Sequence, residues 1–169
     1  MDIQVTAPGC LTWRSGRARC ALGRAGIRVD KREGDGATPA GTFPLRRVLY
    51  RADRLERPVT GLPANAIRPG DGWSDNPADP LYNRPVTRPH PYSHEALWRD
   101  DALYDLIVVI GHNDDPVVPG AGSAVFVHVA SADYKHTAGC IALRMADLIA
   151  LLSDCAPGDR IAIRPGVED

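Results

Sequence analysis

The sequence predicts a mainly β domain, a sandwich or barrel of short strands with a few short helices and long loops. Three observations predict it. Sixteen glycines and fifteen prolines in 169 residues interrupt the chain too often for long helices. Between these breakers lie short segments in which apolar and polar residues alternate with period two. Only one stretch, near the C-terminus, repeats its apolar residues at helical spacing. Turn-rich chains of this kind bury one face of each strand by stacking sheets or closing them.

The first strand is set by Ile3 and Val5 and broken by Pro8-Gly9; a second runs over residues 11–14 to the turn at Ser15-Gly16. Ala18, Cys20 and Leu22 alternate with Arg17 and Arg19, and Ile27 and Val29 flank Arg28. Both read as hairpin strands with one buried face and a solvated row of arginines. A Gly- and Pro-rich loop over 31–42 leads into a strand from Phe43 towards Tyr50. Residues 51–101 are polar and Pro-rich with little periodicity, yet Trp73 and Tyr82 offer burial. This predicts an ordered lid or binding wall, since long loops in compact domains are commonly functional. Within it, Ser93 is placed as the N-cap of a short helix over 93–98. The continuous apolar run 106–110 predicts a strand buried on both faces. Residues 111–116 form a polar loop in which His112, Asn113 and Asp114 either contact substrate or shape the turn. Residues 124–129 predict a strand with Ala124, Phe126 and His128 on one face and Val125, Val127 and Val129 on the other. Met145, Leu148, Ile149 and Leu152 follow an i, i+3, i+4, i+7 stripe, the core face of one amphipathic helix. Ala156-Pro157-Gly158-Asp159 ends it, and Ile161 and Ile163 mark the last strand.

The length suits one domain spanning 1–169. A net charge of −1 gives no electrostatic grip on nucleic acid, and no apolar run is long enough to span a membrane. The N-terminal MDIQVTAPG has no basic segment followed by an apolar one, so no export signal is visible. No nucleotide loop or metalloprotease helix occurs, so no cofactor is expected. The four cysteines lack metal-finger spacing, and a monomer is expected. If Cys140 is a nucleophile, three remain, and one of them stays unpaired within the monomer. That argues against a disulfide framework.

Residues 123–143, SAVFVHVASADYKHTAGCIAL, carry the chemistry. A histidine ends a strand, and Cys140 follows Gly139 twelve positions later. In acyl transfer a thiolate attacks, so an imidazole that takes or pairs with its proton is the requirement. An imidazolium beside Cys140 is expected to lower its pKa. Gly139 has no Cβ to keep a substrate carbonyl away, and backbone N–H groups of Gly139 and Cys140 are candidate oxyanion donors. The alternatives are a buried structural cysteine with a core histidine, and zinc on His128, His136 and Cys140. The zinc set lacks an evident fourth ligand, so no metal is assigned.

His128, Thr137, Gly139, Cys140 and Ile141 resemble the motif of the L,D-transpeptidase catalytic domain, the YkuD domain, in which a His precedes Ser/Thr-x-Gly-Cys and an aliphatic residue. Residues 31–45, K-x-x-G-D-G-x-T-P-x-G-x-F-x-L, resemble the family's first-strand loop. Segments GW-x-D-x-P, YNR and LWRDD-x-LYD resemble a short subgroup with TxGCxAL, so the resemblance covers most of the chain. The common form has His and Arg where this chain has Ala138 and Ala142; Arg144 lies two residues late. The resemblance implies a two-sheet sandwich and peptidoglycan stem peptides as partners. Cys140 is the implied nucleophile, with His128 as acid and base and a backbone carbonyl such as that of Val129 orienting its ring. His112, Asn113, Asp114, Tyr134, His136, Thr137 and Arg144 are the candidate substrate-binding residues. Products are 1–3 cross-links from L-Ala to diaminopimelate, favoured by the subgroup and the long 51–101 segment, or 3–3 cross-links between diaminopimelates. Hydrolysis by the same pair, or binding without catalysis, are the rival readings. The polymer implies a periplasmic or cell-envelope location, with the cytoplasm as alternative.

Overall fold

A computed structural model describes residues 1–166. The strands are β1 (Asp2–Thr6), β2 (Cys10–Trp13), β3 (Gly16–Arg19), β4 (Ile27–Arg28), β5 (Thr38–Pro39), β6 (Gly41–Tyr50), β7 (Ala64–Ala66), β8 (Asp71–Ser74), β9 (Pro85–Thr87), β10 (His94–Ala96), β11 (Leu106–Ile110), β12 (Phe126–Val129) and β13 (Ile141–Leu143). Helix α1 (Met145–Asp154) and strand β14 (Arg160–Arg164) complete the chain. The fold is mainly β, as the sequence predicts, with its strands in several sheets.

The main sheet runs β13-β12-β11-β6-β14-β1-β2-β3, with β7 alongside β6. Strand β6 is long enough to serve both halves: its first part pairs with β14 and its second with β11. The two ends of the sheet then meet. Ala21, just past β3, exchanges backbone hydrogen bonds with Ala142 of β13 at 2.8 and 2.9 Å. Thr137 N–H donates to Leu22 O at 3.0 Å, and Arg24 N–H to Thr137 O at 3.1 Å. The closure removes edge strands that would otherwise be open to wrong partners.

Inside lies the larger core, from Ile3 and Val5 through Val48, Leu106, Val108 and Val127 to Leu148 and Leu152 of α1. Burying each such aliphatic side chain is worth roughly 1.5–3 kcal/mol. The opposite faces of β11 and β12 support a second core of Ile107, Val109 and Phe126 with Trp73, Leu97, Tyr104 and Cys140. Strand β11 is therefore buried on both faces, as its apolar run predicts. In β12 the predicted alternation holds: Val127 and Val129 enter the first core, while Phe126 packs in the second.

Residues 51–101 supply the roof of this second core. They contain a three-stranded sheet, β10-β8-β9. Trp73 packs its ring edge-on to Phe126, centroids 5.1 Å apart, and donates its indole N–H to Asn83 Oδ1 at 2.9 Å.

Four expectations need correction. Residues 93–98 form no helix: β10 pairs with β8, because the free edge of β8 satisfies more backbone groups than one isolated turn. Ser93 donates to the Asp75 carboxylate instead of capping. Val29 is 82% exposed; β4 is a two-residue strand parallel to β5, not half of a hairpin. In α1, Ile149 is exposed and Leu151 is buried beside Leu148 and Leu152, since the core wraps the helix on the other flank of the stripe. Ala124 stands outside β12 with φ of 50°, which directs its carbonyl towards Cys140.

Candidate active site

Parallel pairing of β12 and β13 sets Val127 opposite Ile141 and His128 opposite Ala142. Cys140 immediately precedes β13, so the His and the Cys line one cavity of about 690 Å³ beneath the 51–101 roof. Both are buried, at 6% and 8% exposure.

His128 Nδ1 lies 2.9 Å from Val129 O. A carbonyl only accepts, so Nδ1 carries the proton and Nε2 is the basic nitrogen. The ring also meets the Tyr104 ring edge-on at 5.2 Å. Burial pulls the His128 pKa below 6.5, and the charge of Arg99 acts in the same direction. Cys140 Sγ is 3.2 Å from Ala124 O, and Phe126 N–H points to it at 3.4 Å. Burial first, then the charge of Glu95, pushes the Cys140 thiol up to about 12. The expected lowering of the Cys140 pKa by an imidazolium is thus corrected: desolvation works against both charged forms and pushes the thiol up instead.

The turn before Cys140 is closed by Thr137, whose hydroxyl donates to Cys140 O at 2.7 Å and accepts from Gly139 N–H at 3.1 Å. This N–H is therefore already engaged, leaving that of Cys140 as the oxyanion donor candidate. Gly139 also has a structural role. Its φ is 145°, and a Cβ there would lie 2.7 Å from Ala37 O. The missing side chain admits the 31–42 loop, and Gly139 itself lines the cavity.

That loop folds around an ion pair between Lys31 and Asp35. Asp35 also accepts backbone N–H groups of Arg32 and Ala37 at 2.8 Å. Burial raises the Asp35 pKa, but the Lys31 and backbone hydrogen bonds outweigh it and leave the carboxyl below its ordinary value. Thr38 is fully buried and accepts Gly23 N–H at 2.9 Å. The motif's conspicuous residues are thus tied to loop geometry, and Lys31 is brought into the cavity wall.

Of the candidate substrate-binding residues, His136 and Thr137 line the cavity, as do Ala138 and Ala142. The others do not. His112 packs edge-on to Phe43 and donates to Ala121 O at 3.1 Å. Asn113 bonds to the backbone of Val118 and Gly122, and Asp114 makes a bidentate pair with Arg46 at 2.8 and 3.0 Å. These three shape the loop, and His112 and Asp114 border a separate cavity of about 390 Å³. Tyr134 lies beneath the Arg19 guanidinium, 4.4 Å from its ring centre. Arg144 is exposed at the start of α1.

Sequence reasoning missed Glu95 and Arg99 of the roof and Tyr104 just past it, which line the cavity. Tyr104 donates its hydroxyl to Glu95 Oε1 at 2.5 Å. Burial raises the Glu95 pKa against that hydrogen bond and the charge of Arg99. Nothing local marked these residues; only the pairing of β10 with β8 carries Glu95 to the Cys140 cavity.

The family model for the L,D-transpeptidase catalytic domain, YkuD, matches residues 9–163. Neither the curated proteins nor the solved structures compared with the chain include a match. The matched span contains both strands that bring His128 and Cys140 together and the loop that seats Gly139, and on it the chain belongs to the L,D-transpeptidase catalytic-domain family.

Proposed function

We propose that the protein is a peptidoglycan L,D-transpeptidase that cross-links stem peptides through a thioester on Cys140. The observation that carries the reading is the convergence of Cys140 and His128 in one roofed cavity within a chain of this family. His128 Nε2 takes the Sγ proton as sulfur attacks the carbonyl carbon of an L-centre in the donor stem. The resulting imidazolium passes that proton to the departing amine of the following residue. A primary amine of a second stem then attacks the thioester, forms the new amide and returns Cys140 to the thiol. Because burial works against both the thiolate and the imidazolium, the proton moves in concert with attack rather than before it.

Within this activity we favour the 1–3 cross-link over the 3–3 one. Small side chains at Ala138 and Ala142 line the cavity where the common family form carries His and Arg, which supports a rebuilt donor pocket. A 1–3 donor carries muramic acid next to the acyl carbon and needs such space. Purified protein incubated with disaccharide tetrapeptide, followed by mass spectrometry of digested products, tests both levels. An L-Ala–diaminopimelate dimer is expected. Released D-Ala with the L-Ala–D-Glu bond intact assigns the 3–3 reaction instead, and cleaved monomer with no dimer under any acceptor condition assigns hydrolysis. The reading also places the protein with its polymer in the cell envelope; fractionation of cells with an antibody to the chain checks this.

A further inference from the structure

The roof presents a carboxylate to the nucleophile that the steps above do not use. Glu95 lines the Cys140 cavity, and its charge is felt at the thiol. Tyr104 fixes it: the hydroxyl holds Oε1 at 2.5 Å while the same ring packs against His128. Among the described residues no basic side chain makes an ion pair with it. Of the basic side chains in the cavity wall, Arg99 is bound through two bonds of 2.6 and 2.8 Å to Asp101, Lys31 is paired with Asp35, and Lys135 lies 3.6 Å from Asp133. A partly buried carboxylate without a cation carries a desolvation cost that a ligand's cation would offset. The environment also strengthens it as a base, since burial raises its pKa.

We propose that Glu95 receives the acceptor amine of the transpeptidation step, binding it as an ammonium and taking its proton. The inference rests on the transpeptidase reading. After acylation the cavity holds a thioester and a neutral His128, while a primary amine arrives protonated. Glu95 carboxylate accepts one proton from the ammonium, and the freed nitrogen lone pair attacks the thioester carbonyl. His128 takes a second proton from that nitrogen as the tetrahedral adduct forms. Collapse breaks the C–S bond, and His128 returns its proton to sulfur. The proton on Glu95 leaves to solvent, so thioester and ammonium become amide, thiol and one released proton. Water as acceptor needs no such partner, so Glu95 biases the enzyme towards cross-linking and away from hydrolysis.

The test compares acceptors in wild type and Glu95→Gln, an isosteric change that keeps an acceptor oxygen for Tyr104. Cross-linked and hydrolysed products are quantified by mass spectrometry with a primary amine acceptor, and separately with hydroxylamine, which is uncharged at neutral pH. Glu95→Gln is expected to lower the ratio of cross-link to hydrolysis about tenfold or more with the amine, while the ratio of hydroxamate to hydrolysis stays within a few fold of wild type. Equal ratios in the variant and wild type overturn the inference, and so does a parallel fall with both acceptors, which marks a merely structural role. If Glu95→Gln loses the wild-type melting transition, Tyr104→Phe decides by the same comparison. It keeps the ring against His128 but frees the carboxylate, so the amine ratio alone must fall, and an unchanged ratio overturns the proposal. A wild-type protein that forms neither acyl-enzyme nor cross-link overturns the transpeptidase reading together with it.

Discussion

At Cys140 the side chain is held by a backbone acceptor and a backbone donor, not by the imidazole. A thiol pushed up to about 12 is almost wholly protonated at pH 7. Alkylation of Cys140 by iodoacetamide should therefore be slow and rise about tenfold per pH unit up to pH 9. A plateau near pH 7 would show a preformed thiolate and refute this account. Turnover has a different dependence: it is already level where alkylation is still rising. His128 must be neutral to act as base, and its pKa lies below 6.5, so kcat/KM should persist at pH 6.5 and fall only when lower pH protonates the ring. His128→Ala should cost about 10²–10⁴ in kcat/KM, yet leave the alkylation profile nearly unchanged because no His–thiolate pair is lost. Cys140→Ala should abolish turnover and keep a native melting curve. Gly139→Ala meets both an unfavourable φ and the Ala37 carbonyl. It should destabilise by about 3 kcal/mol in urea titration, with a loss of activity from a displaced Cys140.

The roof is the element whose removal tests how rigidly the site is built. Trp73 anchors it on Phe126, and Trp73→Ala should cost about 3–5 kcal/mol and raise KM. A second anchor is Asp79, a buried carboxylate that accepts Ser74 O–H, Leu81 N–H and, at 2.6 Å, a bond from His90 Nε2. Burial pushes the Asp79 pKa up, but these bonds outweigh it and hold it below 3.8. A carboxylate depressed in the folded state contributes stability above its unfolded pKa and loses it as pH falls through the folded value. The roof should thus hold at neutral pH and loosen below about pH 4. Hydrogen exchange over residues 71–96 checks the window; protection unchanged down to pH 2 would contradict it.

Closure of the sheet couples the whole molecule to the active-site turn. The seam uses Ala21, Leu22 and Arg24 on one side and Thr137 and Ala142 on the other, so the strands that end the sheet also flank Cys140. Ala21→Pro removes the donor to Ala142 O. It should destabilise by roughly 1–3 kcal/mol in urea titration, and activity should fall further than the folded fraction alone explains. Activity that tracks the folded fraction would show that the seam holds the fold without positioning the turn. Among the described residues no helix is long and apolar enough to cross a membrane.

The sequence by itself determined the β class, the doubly buried strand 106–110, the alternation that sets His128 apart from Val127 and Val129, and the stretch that carries both His128 and Cys140 into one cavity. Each follows from local periodicity or from a contiguous motif, where side-chain direction is fixed by the backbone. Tertiary structure decided what depends on distant partners. Residues 94–96 became a strand because β8 offered an edge, and that pairing delivered Glu95 to the Cys140 cavity from 45 positions away in the chain. Gly139 proved necessary for Ala37, a contact across about a hundred residues. Burial likewise pushes the Cys140 pKa up and the His128 pKa down, since desolvation is a property of the assembled core and not of either residue's neighbours in sequence.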